Sequence, residues 1–137
     1  MKAGVGDCLF DGLEGKISSL VYSVPAVKGV EFGDGFELAK LTGSVANDSY
    51  KYVNGKIALV TNSAGGINGG ISNGANVTLS VAMRPTPSIA KEQATVDLVN
   101  KVNTVISVKG RHDACIVPRA VPCIESAVAL AILDEIL

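Results

Sequence analysis

The chain has 137 residues, enough for one domain with a real core and too few for two. Apolar residues make up 47% of it and charged residues only 18%, too few to cover a monomer's surface, so part of the apolar surface is expected to lie against another chain. A net charge of −1 without a Lys/Arg cluster excludes nucleic acid as the natural partner, because nucleic acid is held mainly through neutralised phosphates.

In chain order, Phe10, Leu13, Ile17, Leu20 and Val21 fall at helical spacing, with Asp7 or Asp11 as the cap and Pro25 as the stop. Residues 26–32 (AVKGVEF) read as a strand, and Gly33-Asp34-Gly35 as a turn opening a short helix through Leu38. Residues 43–49 read as loop. Asn54-Gly55 between residues 50–53 and 56–60 is a strong hairpin signal, since Asn-Gly accepts the two positive φ angles of a primed turn.

The glycine-dense block Asn62 to Gly74 comes next, with five glycines in the ten residues from Gly65 to Gly74. So much glycine carries an entropic cost, which implies positive φ or a close approach. A ligand and a set of structural turns account for it equally. The spacing matches neither a dinucleotide fingerprint nor a P-loop. Val77, Leu79, Val81 and Met83 then alternate with polar or small residues, the period of a strand with one buried face. Shorter strands are expected at 95–99 and 104–109, and a helix from Pro122 to Leu137 with proline in its first turn. That helix is apolar around much of its girth, with Leu130, Leu133 and Ile136 forming a second face. The class is α+β, helices packed on antiparallel strands, in a single domain over residues 1–137.

Three cysteines, Cys8, Cys115 and Cys123, without a CxxC pair suggest neither a disulfide framework nor a zinc site, and no other metal site is read. No signal peptide or membrane span is expected, so no membrane partner is expected and the cytoplasm is the expected location. Arg84, Arg111 and Arg119 are the only arginines, all late in the chain, which hints at an anion bound there. Gly110-Arg111-His112-Asp113 follows a predicted strand and holds the only histidine. It fits an anion clamp with a general acid or base, but composition alone favours a strand-end loop whose aspartate accepts backbone hydrogen bonds. Lys28 is either a solvated charge or an anion contact.

The segment Ala26 to Phe36, the glycine block, Arg84-Pro85-Thr86-Pro87-Ser88 and Gly110-Arg111-His112-Asp113 together resemble the C-terminal part of the chorismate synthase family in order and spacing, over nearly the whole chain. The resemblance implies a sandwich of helices between antiparallel sheets and a homotetramer. The implied reaction is the anti-1,4-elimination of phosphate from 5-enolpyruvylshikimate 3-phosphate, using reduced FMN without net redox change. NADPH stays open as the reductant. Carried over by position, the flavin contacts are Pro25, Ala26, Gly69, Arg84, Pro85, Thr86, Pro87, Ser88 and Arg111. Asp113 matches the aspartate that assists the flavin in removing the substrate proton. Pro25 stands where many relatives have asparagine, Arg84 where lysine is usual, and Ala114 where proline is common. The family's long N-terminal portion, with two functional histidines, has no counterpart in these residues. The chain is therefore expected to be a fragment, inactive alone. The alternative is a non-catalytic module that keeps the fold and assembles with itself or a partner.

Overall fold

The computed structural model describes residues 1–137. Helix α1 (Leu13–Tyr22) presents Leu13, Ile17 and Val21 to the core, all fully buried, as their spacing dictates. Its start corrects the sequence reading. Residues Leu9–Asp11 form a 3₁₀ turn instead, Phe10 is 96% exposed, and the N-cap is Gly12 with no side-chain cap. Asp7 is occupied elsewhere, accepting a 2.7 Å hydrogen bond from the Cys8 backbone N–H.

Strand β1 (Val27–Phe32) runs antiparallel to the later strand β6 (Leu79–Met83), with Val30 opposite Val81 and Phe32 opposite Leu79. Val27 pairs with Met83 and Gly29 with Ala82, so Lys28 is the extra residue of a bulge. A 3₁₀ segment (Gly35–Lys40) follows, then the single helical turn α2 (Gly43–Ala46) within the stretch read as loop. Strands β2 (Tyr50–Val53) and β3 (Lys56–Leu59) form the expected hairpin. Asn54 at φ 52° and Gly55 at φ 76° make its primed turn.

Within the glycine block, β4 (Ile67–Asn68) and β5 (Ile71–Ser72) pair around Gly69-Gly70. Strands β7 (Gln93–Asp97) and β8 (Val102–Ile106) begin two residues earlier than the alternation predicts. Asp97 is the reason: its carboxylate accepts hydrogen bonds from the Val99 and Asn100 backbone and the Asn100 amide, closing the loop early. Helix α3 (Val117–Ile136) starts five residues before the expected Pro122. Pro118 takes the first-turn position, and Pro122 lies inside the helix on its exposed side, where its ring removes one backbone hydrogen bond.

Every strand pair is antiparallel, in four separate two-stranded ribbons. Helices α1 and α3 pack together over the β1–β6 ribbon, and Leu13, Ile17, Val21, Val27, Ile67, Ala127 and Ala131 form the core. An ion pair between Lys16 and Glu135 ties the two helices at the rim. Only 13 of 137 residues are buried, so much apolar surface lies open, notably Leu130, Leu133 and Ile136 on α3 and Val96, Val102 and Val105 on the β7–β8 ribbon. No helix is long and apolar enough to cross a membrane.

Candidate functional site

Where β6 ends, the Arg84 backbone N–H donates to the Ala26 carbonyl at 2.7 Å. That bond extends the β1–β6 pairing by one step and sets Arg84 beside Ala26. Ala26 itself has φ 73°, the tight exit from α1 into β1. Beyond Arg84 the chain leaves the ribbon without regular structure, and Pro85 and Pro87 stiffen it by fixing φ and removing backbone donors.

Two adjoining clefts open along this segment. One, of about 260 Å³, lies between Ala26 and Lys28 on one side and residues 84–87 on the other, with Ile116 beneath. The second, of about 610 Å³, is bounded by Thr86 and Ser88, by Arg111, His112 and Asp113, and by Arg119. Thr86 and Ile116 line both, which makes them one groove. The bulge in β1 puts Lys28 on the groove wall, a use to which bulges beside sites are often put.

Of the residues singled out from sequence, the groove gathers Ala26, Arg84, Pro85, Thr86, Pro87, Ser88, Arg111 and Asp113. Pro25 precedes Ala26 but does not line it. Gly69 is not brought to it either. Gly69 turns between β4 and β5, against the N-terminal end of α1, where the Leu13 N–H donates to the Gly70 carbonyl at 2.9 Å. Ala26 follows the other end of that ten-residue helix, roughly 15 Å away at 1.5 Å per residue.

The remaining glycines of the block resolve the earlier choice in favour of turns. A Cβ at Gly65 would stand 2.3 Å from the Gly33 nitrogen, one at Gly66 2.5 Å from the Asn76 carbonyl oxygen, and one at Gly70 2.2 Å from the Asp7 carbonyl oxygen. These three serve close approach of the protein's own backbone. Gly69, at φ 61°, has nothing within 4 Å of where a Cβ would be. The entry to the block is latched by Asp48, whose carboxylate accepts from the Thr61 hydroxyl and from the Ser63 and Ala64 backbone. Burial pushes that carboxyl up, but the three hydrogen bonds together hold it below the usual carboxylate range.

Electrostatically the groove holds four permanent cations, Lys28, Arg84, Arg111 and Arg119, and one carboxylate, Asp113. Arg119 donates from Nη1 to Asp113 Oδ2 at 2.8 Å. The two side chains are 79% and 45% exposed, so the pair adds at most about 1 kcal/mol to stability. Lys28 and His112 also line the groove, and so does Arg119, which the sequence reading notes among the late arginines but does not place at the site. The segregation of the arginines was its signal, but with the helix expected only from Pro122 nothing placed it on a first helical turn.

The hydroxyl of Thr86 is buried and has no hydrogen-bond partner. An orphaned buried hydroxyl among cations suits a ligand that is anionic and offers further polar atoms. A larger hollow of about 890 Å³, between the β2–β3 hairpin and the glycine block, is lined by no charged side chain. No group of His, Cys, Asp and Glu side chains is arranged to hold a metal ion.

The family model described as "Chorismate synthase" matches residues 1–137. The chain belongs to the chorismate synthase family. It is 52% identical over 134 residues to the chorismate synthase of Korarchaeum cryptofilum, covering 98% of this chain and 37% of that protein. It is 52% identical over 132 residues to that of Archaeoglobus fulgidus, covering 96% and 37%, and 50% identical over 136 residues to that of Trichormus variabilis, covering 98% and 37%. A crystal structure of chorismate synthase superposes with a TM-score of 0.74 at 28% identity, over 98% of this chain and 33% of that one. The mixed helix and antiparallel-strand fold is thus that of chorismate synthase, and the chain spans about 37% of the length of the curated relatives it matches.

Proposed function

We propose that this chain forms one wall of a chorismate synthase active site, a lyase that eliminates phosphate from 5-enolpyruvylshikimate 3-phosphate with reduced FMN, and that it makes no chorismate by itself. The observation that carries the proposal is the groove: residues distant in sequence, which the resemblance associates with flavin and substrate, line a single cationic surface. Arg84 and Arg111 are suited to the flavin phosphate, the Thr86 and Ser88 hydroxyls to its polar atoms, and Ala26 to contact through its backbone. When bound, reduced FMN supplies a basic ring nitrogen for the proton that leaves the substrate. Asp113 assists that proton's departure from its place on the groove edge.

Charge argues for a larger assembly. The substrate carries a phosphate and two carboxylates, and FMN a further phosphate. Four cations, one of them already paired with Asp113, leave much of that charge unmatched in a water-excluded site. The rest falls to the portion that the relatives have and these residues do not include. A homotetramer in the cytoplasm, with NADPH as one source of reducing equivalents, completes the reading.

A second reading, a non-catalytic module that assembles with itself or a partner, is favoured by the open apolar faces of α3 and the β7–β8 ribbon. Flavin binding separates the two. In a polypeptide joining these residues to the N-terminal portion of a relative, Arg84→Ser and Arg111→Ser are each expected to weaken FMN binding at least tenfold by fluorescence titration. Unchanged FMN affinity in both variants, or no FMN binding before any substitution, favours the module.

A further inference from the structure

Asp113 lies on a stretch without regular structure between β8 and α3, and the only hydrogen bond its carboxylate makes is the one from Arg119 at 2.8 Å. Arg119 is anchored quite differently. It sits in the first turn of α3, its backbone N–H bonds the Ile116 carbonyl at 3.0 Å, and the next residue, Ala120, is buried. A cation at a helix N-terminus opposes the helix dipole, so this placement needs a compensating partner, and Asp113 supplies it. The contact is single-pronged: Nη1 reaches Oδ2, and no bond is made to Oδ1.

We propose that Arg119 is a positioning residue for the elimination: from the rigid first turn of α3 it fixes the direction of the Asp113 carboxylate, leaving Oδ1 free to face the reacting groups. The inference rests on the reading of Asp113 given above. Arg119 acts through Asp113 and does not itself touch the proton being moved. A carboxylate released from its only tether samples many orientations, and misplacement by about 1 Å can cost on the order of 10²-fold in rate. Because the pair is exposed, its removal is expected to leave the fold intact.

The test is a double-mutant cycle in a polypeptide joining these residues to the N-terminal portion of a relative. Turnover before substitution tests the reading of the site; its absence refutes that reading, and the inference with it. Given turnover, Arg119→Met is expected to lower kcat by about 10- to 100-fold with the Kd for FMN and the KM for substrate changed less than threefold, and Arg119→Lys to restore part of the loss. On an Asp113→Asn background, Arg119→Met should cost nothing more, since the group it positions has lost its function. Backbone NMR order parameters of residues 110–116, a readout independent of activity, should fall in Arg119→Met. Additive losses in the double variant, a tenfold rise in KM or Kd with kcat unchanged, or order parameters and kcat both unaffected would each overturn the assignment.

Discussion

Gly69 and Gly70 are neighbours in one turn, both at positive φ, and alanine is expected to affect them very differently. At Gly70 a new Cβ lies 2.2 Å from the Asp7 carbonyl oxygen and 2.8 Å from the Gly12 Cα, both backbone atoms that cannot rotate away. That is roughly an ångström inside the ~3.3 Å of a close carbon–oxygen contact. Overpacking of this kind costs about 1–3 kcal/mol, and the left-handed backbone adds about 1–2 kcal/mol, so Gly70→Ala is expected to lose about 2–5 kcal/mol. At Gly69 the Cβ meets nothing, and the backbone term is partly offset by the ~0.4–1 kcal/mol that alanine removes from the unfolded chain's freedom. The loss there should stay below ~1.6 kcal/mol. With an unfolding entropy of about 2.1 cal/mol/K per residue, these become roughly 7–17 °C for Gly70→Ala and under about 6 °C for Gly69→Ala in a chain of 137 residues. Thermal melts followed by far-UV circular dichroism measure both. Equal shifts for the two variants would show that the block is not held by backbone approach at Gly70.

Other outcomes are equally open to measurement. Asp113→Asn, in a polypeptide completed by the N-terminal portion, should cut turnover by about 10²- to 10⁴-fold while FMN affinity stays within a few fold; matched losses of both would make Asp113 a structural anchor. Asp48 has its carboxyl held below the usual range, so it contributes stability that is complete above the unfolded value near pH ~4 and is lost as the pH falls further. Asp48→Asn should therefore flatten the acid limb of a urea-midpoint against pH curve, and an unchanged limb would count against the latch. Self-association through the open faces of α3 and the β7–β8 ribbon is expected at micromolar concentration by sedimentation velocity, and a clean monomer would contradict it.

What could be read from sequence was what local chemistry decides. Asn54-Gly55 specified its hairpin because few other residue pairs accept two positive φ angles. The Leu13, Ile17 and Val21 face and the Leu79 to Met83 alternation were legible because one side of the helix is buried and one side of the strand half-buried. Reading failed where a long-range or side-chain contact intervenes. Alternation cannot register that Asp97 folds back on Val99 and Asn100 and so moves both flanking strands. Pro122 looked like a helix start because proline favours first turns, yet α3 tolerates it one turn later on the exposed side. At the site, the resemblance supplied the residues and the fold brought most of them together. The exceptions are Pro25, which precedes Ala26 without lining the groove, and Gly69, held at the far end of α1. The contact of Arg119 with Asp113, six residues back, was hidden because it is visible only once α3 is known to begin at Val117.

The central claim is that these 137 residues carry part of a chorismate synthase site and depend on the remaining portion for turnover. It is tested most directly by supplying reduced FMN and 5-enolpyruvylshikimate 3-phosphate anaerobically and measuring chorismate, first with this chain alone and then after adding a separately made N-terminal portion from a relative. The account predicts no chorismate from the chain alone and product on mixing; turnover by the 137-residue chain alone would contradict it.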